Sequence, residues 1–100
     1  MIRLRGFMVI GLLQLKLRIP ENHSLKGKRQ LLSSLKARIR QRFNVSVSEV
    51  EDQDKWQLAT LAVVSVGTDR EGVNRQLNHV ANLAQEEQEA QVMDLNMEFF

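Results

Sequence analysis

Apolar residues alternate with other residues along the first part of the chain. Between Phe7 and Ile19 every odd-numbered position except Gly11 carries a large apolar side chain, and polar residues fill the even positions from Gln14 onward. A period of two predicts a β-strand over residues 7–19 with the odd positions toward a core. Three early even positions are apolar as well, which is typical of a central strand covered on both faces. These are Met8, Ile10 and Leu12.

An apolar stripe of helical period follows Pro20, the residue that ends this strand. Its members are Leu25, Leu31, Leu32, Leu35, Ile39 and Phe43. Either Asn22 or Ser24 can cap the helix, because a short side-chain oxygen accepts an unpaired N–H of the first turn. The stripe predicts an α-helix over about residues 24–42.

Two further strands and a second helix are predicted in the remaining chain. Alternating valines indicate a strand over residues 44–51, and the apolar run 56–66 indicates a central strand. Thr68 and Glu71 have the spacing of a capping box at the start of a helix that extends to about residue 88. The apolar stripe of that helix consists of Val73, Leu77, Val80 and Ala84. The alternating apolar positions of the last strand are Met93, Leu95, Met97 and Phe99.

The resulting order of elements is βαββαβ. Because crossover connections are right-handed, this order predicts a ferredoxin-like α+β fold: a four-stranded antiparallel sheet with both helices on one face. The first and third strands should be central, since they are the most apolar. One hundred residues correspond to a single domain.

The composition excludes several classes of protein. There are no cysteines, so disulfides and thiolate metal sites are excluded, which fits a reducing cytoplasm. The N-terminal arginines and apolar run are similar to a secretory signal, but the run lacks a small-residue cleavage site and is too short to cross a bilayer. We therefore expect a cytoplasmic protein with no membrane partner.

The sequence shows no constellation for catalysis or metal binding. His23 and His79 are far apart, and neither belongs to a metal-ligand motif. There is no phosphate-binding glycine loop, and a nucleophile with an adjacent base is not evident. We expect no metal and no cofactor, and an enzyme is the less favoured interpretation.

Positive charge is concentrated in the first helix. Residues 1–42 contain eleven Lys and Arg and one acid, hence +10, whereas residues 43–100 contain three Lys and Arg and eleven acids, hence −8. Such a helix can bind phosphates, since each contact adds salt-dependent affinity. The candidate phosphate-binding residues are Lys26, Lys28, Arg29, Lys36 and Arg40. Alternatively, these side chains pair with acids of the second half or only keep the helix solvated.

The face of the sheet opposite the two helices is another candidate site. In this fold no helix covers Met8, Ile10 and Leu12, and an exposed apolar surface often marks an interface. Self-association into a homodimer through this face is one expectation. Simple exposure of a modest patch is the alternative.

Four segments are similar to a known bacterial family. They are the first strand from Gly11 to its end at Ile19 and Pro20, "SLKGKR" at 24–29, "RFNVSVSEV" at 42–50 and "DKWQLATLAVV" at 54–64. Together they resemble the YlxP family of small proteins, whose function is not established. The resemblance implies a ferredoxin-like fold and, from the gene neighbourhoods of some members, an RNA or ribosome context. Family members usually begin near Met8, so residues 1–7 are interpreted as an N-terminal extension and residues 8–100 as the domain.

Three functional hypotheses remain open at this point. The first is a non-enzymatic RNA- or ribosome-associated module that uses the basic helix. The second is a homodimeric or protein-interaction module that uses the open sheet face. The third, and weakest, is an enzyme that binds a small phosphorylated molecule at the start of the first helix.

Overall fold

A computed structural model describes residues 6–100 of the chain. Strands β1 (Val9–Arg18), β2 (Ser46–Glu51), β3 (Leu58–Gly67) and β4 (Gln91–Phe99) form one antiparallel sheet in the order β2-β3-β1-β4. Helices α1 (Leu25–Arg42) and α2 (Arg70–Gln85) follow β1 and β3. The predicted ferredoxin-like α+β fold is confirmed, and β1 and β3 are the central strands as expected.

The core lies between the sheet and the two helices. The odd-numbered leucines of β1 face the helices and are fully buried, together with Leu61 and Val63 of β3. Helix α1 contacts β2, whereas α2 contacts β1, β3 and β4. The helical side chains that complete the core include Leu32, Leu35, Ile39, Val73, Leu77 and Val80.

Gly11 permits the close packing of α2 on β1. A Cβ atom at this position would lie 2.5 Å from Val73 Cγ1 and 2.7 Å from Leu77 Cδ1. A side chain here would force the Val73 and Leu77 side chains to move, because contacts this short do not occur between carbon atoms. The single small residue in the apolar alternation therefore lies where two core side chains of α2 pack directly on the β1 backbone.

The predicted start of the chain differs from the structure. Phe7 lies before β1 and is 66% exposed, so its predicted place in the core is wrong. The proposed extension at residues 1–7 falls mostly outside the described residues, since the structure describes only Gly6 and Phe7 of it. None of the helices within residues 6–100 is long and apolar enough to cross a membrane.

Candidate functional site

The basic helix α1 begins at a well-defined N-terminal cap. Ser24 has an extended backbone, and its Oγ accepts a hydrogen bond from Gly27 N at 3.0 Å. Asn22 does not cap the helix; its side-chain amide instead donates to Ser24 O at 2.7 Å and to Trp56 O at 2.5 Å. Of the two caps that the sequence allowed, the structure selects Ser24. Asn22 joins the start of α1 to the start of β3.

Three of the five predicted phosphate-binding residues project from α1 without an ion pair. Lys26 and Arg29 are exposed and Lys36 is half-buried. Within residues 6–100 none of the three forms an ion pair with a carboxylate. Helix α1 also carries no acidic residue. The positive charge of these three side chains is therefore not neutralised within the described part of the chain.

Small side chains form a shallow groove beside Lys26 and Arg29. The groove has a volume of about 510 Å³. Its other lining residues are Gln30, Ser33, Ser34 and Ala37. Because serine and alanine are short, a phosphate backbone can approach the helix there while the longer cations reach around it. The groove, together with Lys36 and Arg40 farther along the same flank of α1, is called the basic face below.

Arg40 lies at the far end of the basic face and is partly held by the sheet. Its Nη2 donates to Val47 O at 2.9 Å, although the residue as a whole is exposed. A guanidinium has five N–H donors, so this single bond leaves others for a ligand. The contact fixes the position of Arg40 relative to strand β2.

Lys28 does not belong to the basic face. Its side chain is 1% exposed and its Nζ lies 2.8 Å from Glu49 Oε2. The same ammonium donates to Asp52 O at 2.6 Å and to Lys55 O at 2.8 Å. Two of its three N–H donors thus have a carbonyl acceptor, and the ion pair with Glu49 balances its charge. The predicted role of Lys28 in phosphate binding is therefore corrected: Lys28 anchors the β2–β3 hairpin to α1.

The burial of Lys28 could have been recognised from its spacing. It lies four residues before Leu32 and seven before Leu35, so it shares the buried side of the helix with them. Residues on the buried side of a helix are rarely available to a ligand. By charge alone Lys28 resembles the other cations of α1, and only its position on the helix separates it from them.

Arg38 is the other basic residue of α1 that pairs with the acidic second half. Its Nη2 binds Glu87 Oε2, an acid that follows α2. The alternative interpretation, that the charges of the two halves neutralise each other, is thus correct for Lys28 and Arg38. It does not apply to Lys26, Arg29 and Lys36, which form no ion pair within residues 6–100.

A second groove, between the end of α1 and helix α2, was not identified from the sequence. It has a volume of about 330 Å³ and is lined by Arg42, Phe43, Asn44, Gly72, Arg75, Gln76 and His79. Arg42 lies over the Phe43 ring at 5.8 Å, and the rings of Phe43 and His79 are 6.5 Å apart. No sequence signal indicated this groove, because its residues come from two elements that meet only in the folded chain.

The open face of the sheet carries its apolar residues in two neighbouring cross-strand rows. Ile10 pairs with Val66 on β3 and exchanges backbone hydrogen bonds with Phe100 on its other side. Leu12 pairs with Val64. Val66 and Phe100 are more than half exposed, whereas Met8, Ile10 and Leu12 are half-buried. Ile10 and Leu12 therefore lie within an apolar patch at one end of the open face, bordered by Glu98, which pairs with Leu12 on β4, whereas Met8 precedes β1.

Comparison with known proteins identifies the family of the chain. A family model described as "Protein of unknown function (DUF503)" matches residues 10–97. The chain belongs to the DUF503 family. The uncharacterized protein YlxP of Bacillus subtilis (strain 168) is 33% identical over 72 residues, which are 72% of this chain and 78% of YlxP. The resemblance to the YlxP family is thus confirmed. Neither the description of the family nor that of YlxP states a function.

Similar backbones also occur among solved structures. The de novo designed protein Foldit4 superposes with a TM-score of 0.54 at 9% sequence identity, covering 93% of this chain and 96% of Foldit4. The designed protein Ferredog-Diesel has a TM-score of 0.49 at 13% identity, covering 97% of this chain and 89% of the design. At such low identity the likeness to Foldit4 concerns the fold alone.

Proposed function

We propose that this DUF503 protein is a non-enzymatic module that binds the phosphate backbone of RNA, free or in a ribosomal particle, through the basic face of α1. The observation that carries the proposal is that Lys26, Arg29 and Lys36, on a helix without acidic residues, form no ion pair with any described residue. Long unpaired cations beside a groove of short side chains suit a polyanion better than a protein surface of mixed charge.

The spacing of the cations supports an extended ligand rather than a single phosphate. Lys26 and Arg40 are fourteen residues apart, which corresponds to about 21 Å along an α-helix. A small phosphorylated molecule would contact one end of this surface, whereas a nucleic-acid backbone can contact both ends. Because no base-reading motif accompanies the cations, binding should depend weakly on RNA sequence.

The proposal is tested by comparing two triple variants that remove the same charge. Lys26→Ala/Arg29→Ala/Lys36→Ala neutralises the basic face, whereas Lys55→Ala/Arg70→Ala/Arg75→Ala neutralises the three cations of residues 43–100. We expect the first to weaken RNA binding at least tenfold, about 1.4 kcal/mol, in a fluorescence-anisotropy titration at physiological salt. The second should weaken binding much less, since its cations lie elsewhere.

Equal losses in the two triple variants would contradict the proposal, because they would show that only net charge matters. An absence of wild-type binding to RNA and to purified ribosomal subunits would contradict it as well. Lys28 and Arg40 are kept in both variants, since their contacts with the hairpin and with β2 support the fold.

The apolar patch on the open sheet face favours a second candidate function, a homodimer. A two-fold axis parallel to the strands would place the two apolar rows of one copy on those of another, as an isologous interface requires. Sheets that pack face to face lie about 10 Å apart, which suits side chains of this size.

The Leu12→Asp variant tests this second candidate. A charge in the middle of the apolar rows should convert a dimer into a monomer, as measured by sedimentation equilibrium. Gln91→Asp, an exposed position of β4 outside the patch, is the matched control and should leave the mass unchanged. A wild-type protein that is monomeric at high micromolar concentration would refute the homodimer.

A further inference from the structure

The other end of the open sheet face differs from the apolar patch. One cross-strand row contains Glu51 of β2, Thr60 of β3, Lys16 of β1 and Asp94 of β4. Together with Gln14, Leu95 and Asn96 these residues line a recess of about 320 Å³. This recess is called the polar recess.

Both edge strands change register at the polar recess. On β2 an extra residue, Val50, separates Glu49 from Glu51, and on β4 an extra residue, Met93, separates Asp94 from Val92. Without the first bulge, Glu51 would point to the helix side of the sheet; with it, Glu51 pairs with Thr60 on the open face. Bulges re-aim side chains in this way and are frequent beside binding sites.

Thr60 supplies an independent indication that the recess accepts a ligand. Its side chain is only 6% exposed, although no helix covers this face, so neighbouring side chains cover it. Its hydroxyl oxygen has no hydrogen-bond partner among the described residues. A buried polar group without a partner is unfavourable, and a polar ligand that displaces the covering side chains would supply the missing partner.

The charged residues of the recess also lack ion-pair partners. Lys16 lies directly opposite Asp94, yet within residues 6–100 neither Lys16, Glu51 nor Asp94 forms an ion pair. Glu51 and Asp94 lie on the two edge strands, three strand spacings or about 14 Å apart at the backbone. A single metal ion could not contact both carboxylates over this distance.

We infer that the polar recess binds a small zwitterion that carries both an ammonium and a carboxylate group, such as a free amino acid. Its carboxylate would contact Lys16, and its ammonium would lie between Glu51 and the Thr60 hydroxyl, one strand spacing away. The amides of Gln14 and Asn96 supply additional hydrogen bonds. The site is separate from the basic face, because it lies on the side of the sheet opposite the helices.

The inference is tested by titrating the ¹⁵N-labelled protein with glycine, β-alanine and γ-aminobutyrate. At least one of them should cause saturable amide shifts at Lys16, Thr60 and Asp94 at millimolar concentrations. Acetate and methylammonium, which each carry one of the two charges, should bind at least tenfold more weakly. Mg²⁺ should cause no saturable shift at these amides.

Two variants connect the binding to the recess. Thr60→Val keeps the shape of the side chain and should weaken binding about fivefold to tenfold, as expected for one hydrogen bond. Thr68→Val, outside the recess, is the matched control and should bind as the wild type does. Lys16→Gln should abolish the preference for the zwitterion over methylammonium.

The inference is overturned if no zwitterion produces saturable shifts, or if Thr60→Val and Lys16→Gln both bind like the wild type. The Lys26→Ala/Arg29→Ala/Lys36→Ala variant should retain zwitterion binding in full. Failure of RNA binding therefore leaves this inference standing, and failure of zwitterion binding leaves the RNA proposal standing.

Discussion

Lys28 shows how one buried cation can join two elements of this fold. Its ammonium binds a carboxylate and two carbonyl oxygens at the end of the β2–β3 hairpin. The hairpin needs this support, because Asp52 has a positive φ of 60°, a conformation that costs a residue with a side chain about 1 kcal/mol or more. The loss of Lys28 would leave Glu49 and two carbonyl groups without their partner.

The anchoring role of Lys28 predicts a large loss of stability in the Lys28→Met variant. Methionine keeps most of the volume but removes the ammonium. We expect the free energy of unfolding to fall by about 3 kcal/mol, since removing one member of a buried ion pair is strongly destabilising. The measurement is urea denaturation followed by circular dichroism.

Lys26→Met is the matched control for this prediction. It makes the same substitution two residues earlier on the exposed side of α1, where changes usually alter stability by less than about 0.5 kcal/mol. Equal stability of the two variants would contradict the anchoring role of Lys28.

At the scale of the elements, the start of α2 differs from the sequence prediction. The capping box of Thr68 and Glu71 is not formed. Asp69 is the N-cap instead, with an extended backbone and its Oδ1 2.9 Å from Gly72 N. Thr68 and Asp69 both have side chains that can cap a helix. Which of the two neighbouring residues becomes the N-cap depends on where β3 ends rather than on local preference.

The assignment of this cap is tested by a pair of alanine substitutions. Asp69→Ala should lower the free energy of unfolding by about 1 kcal/mol, because an unpaired N–H of the first turn loses its acceptor. Thr68→Ala should have little effect. Thermal denaturation of both variants distinguishes them, and a larger effect at Thr68 would favour the capping box.

The two bulges explain why the edge strands were predicted less well than the central strands. The sequence alternates without a break from Met93 to Phe99, but Met93 is 56% exposed. Met93 is the inserted residue of the β4 bulge, and Val92 packs against the core in its place. A pattern of period two cannot reveal an inserted residue, because the register depends on the neighbouring strand.

For the molecule as a whole, the fold could be predicted from the sequence because several independent features of the sequence agree. Strong periods of two and 3.6, a proline and glycines at element ends and the handedness of crossovers all indicate the same arrangement. The candidate site could be predicted only in part. The charge of α1 indicated the helix. The different roles of Lys28 and of Lys26 and Arg29 depend on the acceptors that the β2–β3 hairpin brings to Lys28 in the folded chain.

Charge is also distributed unevenly over the folded molecule. The pairs Lys28–Glu49 and Arg38–Glu87 connect the basic first half with the acidic second half and neutralise part of the helix. The basic face remains as a concentrated positive surface on a protein whose net charge is only +2. Attraction to a polyanion would therefore be local to this face and would be strongly screened by salt.

The most direct measurement of the central claim is the salt dependence of RNA binding by the wild type and by Lys26→Ala/Arg29→Ala/Lys36→Ala. Each phosphate contact contributes about −0.7 to −0.9 to the slope of log K against log salt concentration. If the basic face binds RNA phosphates, the slope of the variant should be shallower by about 2 to 3 units, the sum of three such contacts. Parallel slopes for the two proteins would contradict the claim that these side chains contact phosphates.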